Sequence, residues 1–192
     1  MAAAQTQHRV LIAEDEAIIR LDLKEMLEEE GLAVVGEAAD GEAAVRMARE
    51  VAPDLVIMDI KMPGMDGLTA AEKIVEDDLA AVLILTAFSQ RDLVQRAADA
   101  GAMGYLVKPF QKSDLLPAIE VAIARHAELA AVKKETAELT ERLETRKILD
   151  RAKGRLMDSG GMTEADAFRH IQQTAMRERR SMKSVAEEIL AG

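Results

Sequence analysis

The 192-residue sequence has no cysteine. That excludes disulfides, thiolate metal sites and a cysteine nucleophile, and it suits a reducing compartment. Tryptophan is absent and aromatics make up 2% of the chain, so an aromatic stacking platform for single-stranded nucleic acid is not expected. No apolar run is long enough to span a bilayer, and Met1 to His8 lack the apolar core of a signal peptide. The expectation is a soluble, cytoplasmic protein without membrane contact.

Hydrophobic residues make up 49% and charged residues 31%, enough apolar material for packed cores and too much for wholesale disorder. The length allows one large domain or two small ones, and the charge distribution favours two. The net charge is −10, yet residues 1–124 hold 11 Lys+Arg against 23 Asp+Glu, whereas residues 125–192 hold 14 against 12. Within 142–183 there are 11 basic and 6 acidic residues. An acidic front is thus joined to a mildly basic tail.

Through the front, short apolar runs (Val10–Ala13, Val34–Gly36, Leu55–Met58, Val82–Leu85, Tyr105–Val107) alternate with helical patterns such as Ile18, Leu21, Leu23, Met26 and Leu27. Strands alternating with helices imply βαβ units and an α/β fold with a parallel, doubly wound sheet. Such a sheet carries its functional groups at the carboxyl ends of its strands. The residues just after the runs are Glu14-Asp15-Glu16, Asp59, Thr86 and Lys108-Pro109. Three carboxylates gathered at one edge need a cation, because like charges raise each other's pKa. All-oxygen ligands of this hardness suit Mg²⁺. A hydroxyl and a mobile ammonium nearby suit a phosphoryl group held on a carboxylate, and aspartate is an established nucleophile for phosphate.

The segments VLIAEDE (10–16), DLVIMDIKMPGMDG (54–67), LILTAF (83–88) and GYLVKPF (104–110) closely resemble the receiver domain of two-component response regulators. The resemblance covers about 8–125 and implies a flavodoxin-like five-stranded parallel sheet in the order 2-1-3-4-5. It implies Asp59 as phosphoacceptor, with a sensor histidine kinase as donor. It also implies Mg²⁺ held by Glu14, Asp15, Asp59 and the backbone carbonyl of Lys61. Thr86 takes the place of the switch hydroxyl, Tyr105 of the switch aromatic and Lys108 of the phosphate-binding cation, with Lys108-Pro109 as a cis peptide. Receivers usually have Asp where this chain has Glu14; the longer side chain is expected to reach the metal through water.

The strands cease at about Ser113, which is expected to cap a helix running on through Arg125. Leu129, Val132, Thr136, Leu139 and Leu143 then form a short heptad seam. It suits either an amphipathic helix lying on its own domain or a coiled-coil contact between two copies through residues 125–150. Three helical pieces follow: Arg146–Met157 ending at Gly160-Gly161, a second started by a Thr163/Asp166 capping box, and a third capped by Ser181. Phe168 has the position to stack a base, but its helical spacing with Ile171 favours the core, and His170 has no second His or Cys at ligand spacing. No short turn of helix-turn-helix kind is expected among these pieces.

Residues 151–190 (RAKGRLMDSGGMTEADAFRHIQQTAMRERRSMKSVAEEIL) resemble the ANTAR domain of transcription antitermination regulators. Extended over 129–190, the resemblance implies a small three-helix module after a long helix. The family it resembles binds paired RNA stem-loops with hexanucleotide loops, whose splayed bases are readable. Lys153, Arg155, Arg179 and Arg180 are the candidates for RNA contact. The leading reading is a phosphorylation-controlled RNA-binding antiterminator, not an enzyme. A DNA-binding regulator with the same input is the alternative. A Mg²⁺-dependent phosphohydrolase is disfavoured, because Lys61 stands where a second acid would follow Asp59.

Overall fold

The apolar runs become strands and the stretches between them helices. The computed structural model describes residues 7–87 and 91–191. In chain order it contains β1 (Arg9–Ala13), α1 (Ala17–Glu29), β2 (Ala33–Ala38), α2 (Gly41–Val51), β3 (Leu55–Asp59) and α3 (Gly67–Glu76). There follow β4 (Ala81–Thr86), α4 (Arg91–Asp99), β5 (Gly104–Val107), α5 (Lys112–Gly160), α6 (Glu164–Glu178) and α7 (Met182–Ala191). The five strands are parallel in the order β2-β1-β3-β4-β5, as the receiver resemblance implied. Phe88, the last residue of the LILTAF motif, lies outside the described residues.

The central strands are apolar through 10–13, 55–58 and 81–85 because helices cover both faces of the sheet. Alternation along each strand then decides which layer a side chain joins. Val10, Ile12, Leu55, Ile57, Leu83 and Leu85 pack against Leu23 and Leu27 of α1 and Leu115, Ile119 and Ala122 of α5. Leu11, Val56, Met58, Val82 and Ile84 meet Ala44, Val45 and Ala48 of α2 and Ala70, Ala71 and Ile74 of α3. Each fully buried Leu or Ile contributes about 1.5–3 kcal/mol, so the two layers make this sheet the stable part of the chain. Asp40 and Asp66 fix where α2 and α3 begin, their carboxylates accepting from Ala43 N and Thr69 N at 2.7 and 2.8 Å.

The chain divides into two compact units, Met1–Leu129 and Ala130–Gly192. The core of the second unit is thin. Its buried members are Ala152, Ile171, Ala175, Val185 and Ala186, with Ile148, Leu149, Leu156, Met182, Ile189 and Leu190 packed around them.

Four local expectations are revised. Ile18 and Leu21, read into the apolar face of α1, are exposed; Leu23 and Leu27 are its buried members, with Ile19 and Met26 packed beside them. Ser113 is not the cap of α5. The helix starts at Lys112, and Asp114 accepts from Gln111 N at 3.0 Å, so Gln111 sits at the cap position. The first tail piece is not separate: α5 runs unbroken to Gly160 and itself supplies the first helix of the C-terminal bundle. Nothing between Arg125 and Arg146 could stop it, since neither Gly nor Pro occurs there. Finally, α6 and α7 are joined by only three residues, 179–181. Arg179 makes this short turn by adopting a left-handed conformation (φ 55°, ψ 40°). The capping pairs do form, Asp166 N to Thr163 Oγ1 at 3.2 Å and Ser184 N to Ser181 Oγ at 3.1 Å.

Candidate functional site

Parallel strands deliver their last residues to one edge, and the backbone there is tied across strands. Glu14 N donates to Ala38 O at 3.0 Å, Ile60 N to Leu85 O at 3.2 Å and Lys108 N to Thr86 O at 2.8 Å. The acidic loop after β1 is held from behind by Arg20, whose Nη1 donates to Glu14 O at 2.6 Å. The Lys108-Pro109 peptide is cis, as the receiver resemblance implied.

These ties gather a cleft of about 290 Å³ lined by Asp15, Glu16, Asp59, Ile60, Lys61, Thr86, Ala87 and Lys108. Lys108 Nζ lies 2.6 Å from Glu14 Oε2 and 2.5 Å from Asp59 Oδ1. The other Asp59 oxygen, Oδ2, accepts from Lys61 N at 2.7 Å. Glu14, Asp59 and Thr86 are buried, while Asp15 is exposed at the mouth. Lys108 thus bridges two of three carboxylates, Glu14, Asp15 and Asp59, whose oxygens lie within 4.8 Å of one another. Burial pushes the Glu14 carboxyl above its usual range, with the Lys108 hydrogen bond opposing. Burial also works against the Lys108 ammonium, but hydrogen bonds to Asp59 and Glu14 hold its pKa above normal, so it stays charged. An all-oxygen, net-negative cluster with an open mouth has the chemistry of a hard divalent-cation site.

Of the sequence candidates, Glu14, Asp15, Asp59, Lys61, Thr86 and Lys108 meet in this way. Tyr105 does not line the cleft; it sits on β5, 48% exposed. Arg20 was missed, since nothing in its spacing marks a residue that grips backbone six positions earlier. Gly67 was visible only as the end of a motif. Its reason is steric, because a Cβ there would lie 1.9 Å from the Asp59 carbonyl oxygen. Gly67→Ala is accordingly expected to displace the β3–α3 junction and lower stability by about 1–3 kcal/mol. Chemical denaturation would show that loss.

The basic candidates of the second unit are mostly engaged. Lys153 pairs with Asp150 and Glu164, each at 2.8 Å. Arg155 Nη1 donates to Leu190 O at 2.6 Å, close to the end of α7. Arg180 bonds Glu178, Glu188 and Ser184. Arg179 is the one of the four whose side chain has no partner among the described residues; its backbone N–H closes α6 on Ala175 O and Met176 O. His170 is exposed, in keeping with a surface role. Phe168, expected in the core, is 43% exposed.

Comparison with known proteins agrees with this anatomy. Residues 10–120 match the response regulator receiver domain, and residues 137–190 match the ANTAR domain. The chain is 60% identical over 189 residues to the transcriptional regulatory protein PdtaR of Mycobacterium tuberculosis, covering 98% of this chain and 92% of that protein. It is 45% identical over 113 residues to the chemotaxis protein CheY of Bacillus subtilis, covering 58% of this chain and 94% of that one. Among solved structures, the receiver domain of the response regulator NarL from Mycobacterium tuberculosis is 30% identical with a TM-score of 0.59, covering 62% of this chain and 97% of that one. CheY in the CheX-CheY-BeF3-Mg²⁺ complex from Borrelia burgdorferi is 33% identical with a TM-score of 0.56, covering 58% and 86%.

Proposed function

Because this chain belongs to the response regulators, a signalling family rather than an enzyme family, and carries an ANTAR domain behind its receiver, we propose the following function. A sensor histidine kinase phosphorylates Asp59, and the modification controls RNA binding and transcription antitermination by the C-terminal unit. The observation that carries the reading is Asp59 itself. It is a buried carboxylate at the end of β3, with a backbone N–H on one oxygen and Lys108 on the other. In the transfer, an Asp59 oxygen forms a bond to phosphorus as the phosphorus–nitrogen bond of the kinase phosphohistidine breaks. Lys108 and Lys61 N are placed to receive the charge of the acyl phosphate, and the buried Thr86 hydroxyl lines the same cleft. Glu14, Asp15, Asp59 and the Lys61 carbonyl are the groups that would hold Mg²⁺, which when bound screens phosphoryl oxygens from the carboxylates. Tyr105 is assigned the switch position on β5. Ile18 and Leu21 supply exposed apolar surface on α1, the helix that follows the acidic loop, where a kinase must approach.

Output through RNA rests on the ANTAR match and on the basic excess of 142–183. The relative PdtaR is named a transcriptional regulator, which suits either nucleic acid. The short α6–α7 connection favours the DNA alternative, since helix-turn-helix units use turns of this length. The charge of α7 opposes it: a second helix with Lys183 against Glu187 and Glu188 is poorly suited to a major groove. Competition between RNA hairpins and duplex DNA for the full chain decides the matter; preference for duplex DNA at every salt concentration would reverse the assignment.

The four RNA candidates are expected to separate. Arg179→Ala should lower the slope of log affinity against log salt by about one unit, because its guanidinium is unengaged. Arg180→Ala should chiefly lower the melting temperature, because it breaks the links to Glu178 and Glu188. Leu129, Val132, Leu139 and Leu143 are exposed along α5 and are assigned to contact with a second copy. Sedimentation of a Leu139→Glu, Leu143→Glu chain should then show monomer where the parent shows dimer.

A further inference from the structure

We propose that Phe168 and the groove beside it form a stacking site for one unpaired base of an RNA loop. The inference rests on the RNA reading above and names the residue that would read a base rather than a phosphate. Phe168 is the only aromatic residue in 130–192. Its 43% exposure is unusual for a lone phenylalanine in a unit so short of core. With five buried residues in that core, three of them alanine, an apolar ring would gain most by turning inward. It lies instead in an open groove with Leu149, Thr145, Arg142 and Arg146 of α5.

The groove has the parts that a base and its phosphates need. Phe168 and Leu149 offer an apolar floor, and a base stacks on an aromatic face whatever its identity. Arg142 has no ion-pair partner among the described residues, and Arg146 reaches Asp150 only at 3.9 Å, leaving two guanidiniums for the backbone on either side. Asp150, also in the groove, is already neutralised by Lys153 at 2.8 Å. Four and eight positions beyond Phe168 on α6, the exposed Gln172 and Met176 extend the same flank of the helix with a hydrogen-bonding amide and a second apolar contact. Glu138 and Glu141 close the groove toward the start of the unit, so phosphates are expected on the Arg142–Arg146 side. A second protein copy would need a broader apolar patch than one ring, one leucine and one methionine supply.

The test uses the full chain, phosphorylated in Mg²⁺, and paired hairpins with hexanucleotide loops drawn from a randomised-loop pool by that chain. 5-Iodouridine placed in turn at each loop position should crosslink to Phe168 from one position only. Phe168→Leu keeps apolar bulk without the π-face; affinity should fall about five- to hundredfold with the salt slope unchanged. Phe168→Trp should keep affinity within about threefold, by the same stacking argument. Arg142→Ala or Arg146→Ala should each reduce the slope by about one unit. If the parent binds hairpins but Phe168→Leu binds equally and no crosslink reaches Phe168, the stacking site is refuted while the RNA reading stands. If the parent enriches no RNA at all, the RNA reading falls and takes this site with it. If Phe168→Leu instead turns a dimer into a monomer on sedimentation without changing RNA affinity, the groove is a contact between copies.

Discussion

Replacing Asp59 by Asn is expected to abolish labelling of this chain by a small acyl phosphate in Mg²⁺, leaving only background. The amide keeps the shape of the side chain and can still accept from Lys61 N, but it has no carboxylate oxygen to bond phosphorus. The fold should survive, because the substitution removes one of three clustered negative charges. The unfolding midpoint is therefore expected to be no lower than the parent's, which separates loss of the acceptor from loss of structure. Hydroxylamine-sensitive phosphate on the Asn chain at the parental rate would place the acceptor elsewhere. Lys108→Ala should behave differently. It leaves the acceptor in place and slows labelling only in part, but Glu14 and Asp59 lose their shared counter-ion. A lower melting temperature and failure of phosphate to change RNA affinity are expected together.

The second large effect concerns residues 125–192 on their own. This fragment should bind hairpin RNA without phosphorylation, because deleting 1–124 removes 23 acidic residues against 11 basic ones. Like charge opposes approach of a polyanion, and its removal raises association before any contact is gained. If four basic side chains meet phosphates, affinity should fall about 50- to 150-fold between about 50 and 200 mM salt. A slope nearer one unit would mean that Arg179 acts alone while Lys153, Arg155 and Arg180 remain in their intramolecular bonds. An isolated, folded fragment that binds RNA no better than the unphosphorylated full chain would show that the acidic front does not oppose binding.

The sheet and its acidic edge were legible in the sequence for one physical reason. In a parallel sheet each strand is a short apolar run, so the polar residue that ends it stands out, and all such residues share an edge. Glu14, Asp59, Thr86 and Lys108 are grouped by that rule alone. The tail was harder to read because its decisive contacts are nonlocal. Lys153 meets Glu164 and Arg155 meets the carbonyl of Leu190, and each pair looks like a solvated charge on its own helix. Phe168 was misplaced because its three-residue spacing to Ile171 is also the spacing of a buried face. With Ala167, Ile171 and Ala175 filling that face, Phe168 is left on its flank. The continuity of α5 depended on an absence of punctuation, which is weaker evidence than a glycine or a proline.

β3 sends Leu55 and Ile57 into one layer and Val56 and Met58 into the other, with Asp59 as its fifth and last residue. Parity thus ties the chemistry to the length of the strand. Inserting a single residue ahead of Asp59 would exchange the two sets of side chains between layers or push the aspartate past Lys108. Loops elsewhere in the chain can lengthen without such a penalty. Among descendants of this sequence, gaps and insertions should therefore gather between elements and spare 55–59, even where every apolar identity within that stretch has drifted.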